Sequence, residues 1–313
     1  MIFMLVYLVV GFALLVKGAD WFVDGACALS KKLGIPSYIV GLTVVALGTS
    51  LPEAAVSITA SISGSNAIAI GNVIGSNIFN TLVVLGASAL FAPVLVKKDM
   101  LKRDFPFCII ITILLAVLLI TLGNGQIALT RFDGIILLAV FVLFMIMSVK
   151  AGKNSSDEDE NETKEMSAPK FIALILIGIA GVILGGNLTV EGAKGIAEAI
   201  GLSETVIGLT VVAIGTSLPE LVTSVVAARK NQNDIAVGNV IGSNIFNILF
   251  ILGFSAVISD LTTDFYAIID SCVLIGIMLL TYIISVIGKK INRSSGIVMI
   301  LIYIAYTAYL LVR

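Results

Sequence analysis

The sequence predicts an all-α polytopic membrane protein: ten transmembrane helices in two inverted five-helix repeats, with helices two and seven broken. Three observations predict it. The 313 residues are 58% hydrophobic and only 12% charged, about half the charged fraction of a soluble domain. Apolar runs recur along the whole length, each long enough to cross the ~30 Å of a bilayer's hydrocarbon. Two blocks of sequence also occur twice at one displacement, the mark of an internal repeat.

Charge and turn clusters place the spans at 2–29, 36–62, 67–91, 104–122, 127–149, 170–197, 203–228, 234–257, 265–287 and 296–312. The first opens without a cleavable-leader pattern and reads as a retained span. Lys17, Asp20 and Asp24 sit in its second half; with Asn187 and Glu191 at matching places in span six, they read as interfacial residues at span ends rather than as an ion route. Residues 1–150 form the first repeat and 170–313 the second. The acidic stretch 151–169, which lacks apolar periodicity, is the linker between them.

GLTVVALGTSLPE at 41–53 recurs as GLTVVAIGTSLPE at 208–220, and GNVIGSNIFN at 71–80 recurs unchanged at 238–247. Both blocks are displaced by the same interval, and the copies differ only at Leu47 against Ile214. Five spans per repeat is an odd number, so the second copy lies upside down relative to the first, and such repeats share a site near the bilayer midplane. The loops after spans one, three, five, seven and nine hold 15 of the 19 Lys and Arg residues. The positive-inside rule then puts those loops and the linker in the cytoplasm and both termini outside, in a multi-pass protein of the cell membrane.

In GTSLPE, Pro52 has no N–H, so the carbonyl of Gly48 loses its helical partner, and Gly48 eases local unwinding. Freed carbonyls at membrane depth need a polar cavity or an ion. Thr49, Ser50 and Glu53 stand beside them, and Thr216, Ser217 and Glu220 repeat the set. In the second block Asn72, Ser76 and Asn80 share a helix face, as do Asn239, Ser243 and Asn247. Asn77 and Asn244 lie one position off that face and read as helix–helix hydrogen bonds, while Gly71/Gly75 and Gly238/Gly242 permit close helix approach.

Together the blocks offer oxygen donors and no nitrogen or sulfur ligand, which suits hard cations such as Na⁺ and Ca²⁺. An ionised carboxylate at membrane depth is costly and normally functional. Neither motif contains Lys or Arg. One Ca²⁺, two Na⁺ or two protons would each neutralise Glu53 and Glu220. Histidine is absent, which excludes histidine-based zinc sites, Ser-His-Asp triads and histidine relays; an enzyme is not expected, nor a cofactor. Cys27, Cys108 and Cys272 are expected to be buried and unpaired. The expected partners are Na⁺, Ca²⁺ and the lipid bilayer, with no nucleic acid; the sequence names no protein partner.

GTSLPE followed by GNVIGSNIFN, twice, resembles the α-repeats of the cation/Ca²⁺ exchanger superfamily, and within it the prokaryotic Na⁺/Ca²⁺ exchangers. The resemblance covers both repeats and implies an alternating-access antiporter with ion sites between spans two, three, seven and eight. It implies that Glu53 and Glu220 are the central Ca²⁺ carboxylates and that Thr49, Ser50, Thr216 and Ser217 are ligands shared by Ca²⁺ and Na⁺. Ser76 and Ser243 match serines of flanking Na⁺ sites, and Asn80 and Asn247 match central amides. The carbonyls of Ala46 and Ala213 match ligands at the outer sites. Spans one and six are implied to slide across this core. Asn247 stands where K⁺-dependent members carry aspartate, and the additional glutamate of H⁺/Ca²⁺ members is missing. The resemblance therefore points to electrogenic, K⁺-independent Na⁺/Ca²⁺ exchange, with exchange of H⁺ for Ca²⁺ or another divalent cation as the alternative.

Overall fold

The computed structural model describes residues 2–121, 127–154, 166–201 and 213–312. Eight of its helices are long and apolar enough to cross a membrane: α1 (Ile2–Leu33), α4 (Asn66–Phe91), α5 (Met100–Ile120), α6 (Arg131–Gly152), α7 (Ala168–Ala199), α9 (Asn233–Ile258), α10 (Phe265–Gly288) and α11 (Arg293–Leu310). A ninth span is the pair α2 (Ser37–Thr49) and α3 (Leu51–Ile62), bent by 50° at Ser50. The counterpart of α3 in the second half is α8 (Leu218–Arg229), preceded by one helical turn at Ala213–Gly215. Much of predicted span seven, 203–212, and of the linker, 155–165, lies outside the described residues.

α1 and α7 are 32 residues each, or about 48 Å at 1.5 Å per residue, longer than the ~30 Å of the hydrocarbon, a length that leaves room for a tilted crossing. They run antiparallel against each other. Gly11 meets Gly185 and Thr189, Gly18 meets Gly178 and Gly181, and Gly192 meets Leu8. Gly11, Gly18 and Gly25 recur every seventh residue, and Gly178, Gly185 and Gly192 repeat them at the displacement that relates the two motif copies. Without side chains at these crossings the two backbones touch. Each helix ends on a left-handed glycine, Gly34 at φ 61° and Gly201 at φ 87°, the conformation that stops a helix without steric cost.

Behind this pair, α4 and α9 are the most enclosed spans. They form the main core with α5, α10 and the first turns of α2, through residues such as Ile70, Ile74, Ile78, Leu115, Ile241, Ile245 and Leu274. Two short antiparallel strand pairs join the halves: β1 (Val94–Leu95) with β4 (Lys290–Ile291), and β2 (Ala128–Leu129) with β3 (Leu261–Thr262). Exposed large apolar side chains run along α1, α6, α10 and α11, as lipid-facing surfaces require. Cys27 and Cys108 are buried as expected. Cys272 is exposed on α10, a correction that costs nothing in energy where the surroundings are hydrocarbon rather than water.

Candidate functional site

The two GTSLPE segments break their helices in the same way. Ser50 has φ −85°, ψ 7° and Ser217 has φ −90°, ψ 6°; each is followed by a new helix with proline in its first turn. That turn carries the glutamate. N-terminal N–H groups and the helix dipole favour a carboxylate there, so Glu53 and Glu220 sit where their own helices stabilise negative charge.

Both carboxylates are fully buried. Each is held by the serine of the opposite repeat: Ser50 Oγ donates to Glu220 Oε1 at 2.8 Å, and Ser217 Oγ donates to Glu53 Oε1 at 2.9 Å. Ser243 Oγ adds a longer contact to Glu220 Oε1, 3.4 Å. The second oxygen of each carboxylate, Glu53 Oε2 and Glu220 Oε2, is buried with no hydrogen-bond partner. Hydroxyls on one oxygen alone do not offset the desolvation of a buried carboxylate, which costs several kcal/mol per ion.

The amides behave less symmetrically. Asn80 and Asn247 each open a π-helical turn, Asn80–Val84 and Asn247–Leu252, a widened geometry frequent at functional sites. Asn247 Nδ2 donates to Asn77 Oδ1 at 3.0 Å, whereas both amide atoms of Asn80, and Oδ1 of Asn247, are buried without a partner. Asn77 also donates to the backbone carbonyl of Asn244 (3.1 Å), and Asn244 donates to Thr81 (2.9 Å). These are the helix–helix bonds expected of the off-face asparagines. Their grip on Asn247 was not evident in the sequence.

Asn72 and Asn239, which share a face with the site residues, serve a different purpose. Asn72 Nδ2 donates to Ser57 Oγ (2.9 Å) and Asn239 Nδ2 to Ser224 Oγ (3.0 Å), closing the α3–α4 and α8–α9 hairpins. Asn239 Oδ1 also accepts from Thr49 Oγ1 at 3.0 Å. The Ala46 carbonyl receives the Ser50 N–H at 3.0 Å and lies 3.3 Å from Thr49 Oγ1. Ser76 is buried on α4. Ala213 opens the helical turn before the second break. Thr216 lines a cavity of about 290 Å³ between α3 and α7, with Pro52, Ala55, Gly186, Asn187, Glu191 and Pro219 among its walls.

The structure thus joins Ser50 to Glu220 and Ser217 to Glu53 across the repeats, with Ser243 touching Glu220 from within its own repeat. The glycine of each motif has a role that a helix break does not require. A Cβ on Gly48 would meet Phe22 of α1 at 2.8 Å and Ile179 of α7 at 3.1 Å, so Gly48 lets the long pair lie directly on the site. Gly238 and Gly242 likewise admit α2 against α9; the partners that the repeat assigns to Gly71 and Gly75 fall largely outside the described residues.

Loss of the cross-repeat donor should be felt in stability. Ser217→Ala leaves Glu53 Oε1 without its hydroxyl, a loss of about 1.5–3 kcal/mol for a bond to a charged group. We expect a lower denaturation midpoint in detergent for Ser217→Ala and a matching fall for Ser50→Ala. A silent Ser217→Ala would show that this bond does not hold the carboxylate.

Comparison with known proteins places this geometry. The model of the sodium/calcium exchanger protein family matches residues 3–150 and 170–312. The sodium/calcium exchanger MaX1 of Methanosarcina acetivorans is 36% identical over 97% of each chain. The inner membrane protein YrbG of Escherichia coli (strain K12) is 41% identical over 80% of this chain and 79% of its own. A solved structure of the sodium-calcium exchanger NCX_Mj, soaked with zero Na⁺ and Ca²⁺, matches over 99% of each chain with a TM-score of 0.85 and 36% identity. Two copies of GTSLPE and GNVIGSNIFN, each serine holding the other repeat's glutamate, therefore sit in a multi-pass membrane protein that belongs to the sodium/calcium exchanger family of cation antiporters.

Proposed function

We propose that the chain exchanges Na⁺ for Ca²⁺ by alternating access, electrogenically and without K⁺, through a ten-helix fold whose seventh helix is broken like its second. The observation that carries this reading is the buried pair Glu53 and Glu220, each with one oxygen on the opposite repeat's serine and one oxygen without a partner. Two carboxylates with hydroxyl and amide oxygens around them fit a hard cation. Asn80, Asn247, Thr49, Thr216, Ser76, Ser243 and the carbonyls of Ala46 and Ala213 supply the remaining ligands in this reading. With only two acidic groups at the site, occupancy by more than two Na⁺ against one Ca²⁺ moves net charge. NCX_Mj, the match of like architecture, was soaked with Na⁺, Ca²⁺ and Sr²⁺, which supports the choice of cargo. The basic loops support external termini and a cytoplasmic linker.

Proteoliposomes test this. An outward Na⁺ gradient is expected to drive Ca²⁺ uptake, faster with an inside-positive potential that Na⁺ efflux relieves at unequal charge, and equally with or without K⁺. Uptake driven by a pH gradient in the absence of Na⁺ would replace the reading with H⁺/Ca²⁺ exchange. No uptake under either gradient would end both.

A further inference from the structure

The two halves of the site are nearly superimposable in sequence, but their surroundings are not. On one side α1 lies tight against α8: Leu15 and Ala19 pack with Val182 and Val222, while Phe22, Val23 and Ala26 pack with Ala227 and Ala228. On the other side the equivalent helices, α7 and α3, enclose the 290 Å³ cavity instead. Ala55, the counterpart of the buried Val222, is exposed. The structure is therefore closed at one end of the site and open at the other.

A lysine bridging two carboxylates is found, among the described residues, only at the closed end. Lys230, where α8 terminates, reaches Asp20 Oδ1 and Asp24 Oδ1 of α1, both at 2.6 Å, and donates to the Asp20 carbonyl at 3.1 Å. Lys17 flanks Asp20 at 2.7 Å and lies 5.5 Å from the centre of the Trp21 ring. The displacement between the repeats gives each group a counterpart: Ser63 for Lys230, Asn187 for Asp20, Glu191 for Asp24 and Leu184 for Lys17. The backbones at the two hairpins agree, since Asn231 (φ 59°) matches Gly64 (φ 76°), and Gln232 N donates to the Ala227 carbonyl as Ser65 N does to that of Ala60, both at 2.8 Å. The cations have no equivalent. Glu191 is left at the cavity wall.

We propose that Lys230, Asp20 and Asp24 form a one-sided ionic clamp that fastens α1 to α8 and biases the protein towards the state open beside Glu191 and closed beside Lys230. The clamp rests on the alternating-access reading above: α1 and α7, joined along their glycines, move as a unit, so opening the Lys230 end requires these ion pairs to part. Positively charged loops place that end in the cytoplasm. Symmetry alone would leave the two states equal in energy; the clamp removes that equality.

Thiol labelling tests it without reference to cargo. In a chain whose Cys27, Cys108 and Cys272 are replaced by Ala, Val222→Cys reports opening between α1 and α8, and Ala55→Cys reports the cavity. Lys230→Gln is expected to raise labelling at 222 and lower it at 55, increasing the ratio of the two rates by about two- to fivefold, the range for partly exposed ion pairs. Asp20→Asn with Asp24→Asn should do the same, and Lys230→Arg should keep the original rates. Adding Ser63→Lys and Asn187→Asp to Lys230→Gln builds the mirror clamp with Glu191, and should close position 55 further. Unchanged labelling at both positions in both clamp-breaking variants would overturn the proposal. A chain that moved no Na⁺ or Ca²⁺ would overturn the function while leaving these rates as expected.

Discussion

Glu220→Gln is expected to lower Ca²⁺ exchange at least about 100-fold while leaving the protein folded, and Glu53→Gln to do the same. Glutamine preserves side-chain volume, and its carbonyl oxygen can still accept from Ser50, which now donates to Glu220 Oε1 at 2.8 Å. What is lost is one of two negative charges at a fully buried centre. Breaking a buried charge pairing by neutralising one member costs about 3–5 kcal/mol, and each 1.4 kcal/mol is tenfold in affinity. The measurement is initial ⁴⁵Ca²⁺ uptake into proteoliposomes, with size-exclusion elution of each variant as the folding control. Undiminished uptake in either variant would mean that the carboxylates are not the cation ligands. Because the two glutamates are exchanged by the repeat, the variants are also expected to fail alike; a large difference would show that one half of the site binds Ca²⁺ nearly alone.

Much of this arrangement was legible in the sequence. Two motif copies that differ only at Leu47 and Ile214 are forced into equal local structure, and the matching backbone at Ser50 and Ser217 follows from it. Glutamate after a proline break at membrane depth has few structural uses, so the centre could be named. The features that escaped depend on which residues meet across the repeats. Displacement in sequence says that Ser50 corresponds to Ser217; it does not say that Ser50 would hold Glu220 rather than its own Glu53. The tie from Asn247 to Asn77 breaks a symmetry that the sequence presents as intact. Likewise Asp20 and Asp24 read as interfacial charges of one helix, and that reading gives no sign that their partner Lys230 lies in the other repeat. The sevenfold spacing of glycines in α1 and α7 was a signal within reach. Glycine is common in membrane helices, and only the equal displacement of Gly11, Gly18 and Gly25 onto Gly178, Gly185 and Gly192 marks these as one contact surface.

That surface yields the second large effect. Gly18→Leu is expected to abolish transport and to destabilise the protein, because the substitution cannot be absorbed by a rotamer change. A Cβ at position 18 would lie 2.6 Å from the Val182 nitrogen and 2.7 Å from the Gly181 carbonyl carbon, both backbone atoms. The helices must separate along their shared length, and overpacking of this kind costs about 1–3 kcal/mol or more. Gly178→Leu meets Phe22 N at 2.7 Å and should match it from the other helix. Even alanine at either place carries the offending atom. Gly276→Leu is the control: it lies exposed on α10 with nothing within 4 Å of an added Cβ, and adds the same bulk to the same kind of helix. Denaturation midpoints in detergent and Ca²⁺ uptake are compared for all three. If the long pair moves as one body over the site, with Gly48 fitted beneath Phe22 and Ile179, parting it at Gly18 disturbs both the coupling of the two access routes and the cover over Glu53. Gly18→Leu behaving like Gly276→Leu would show that α1 and α7 are not held together by this contact.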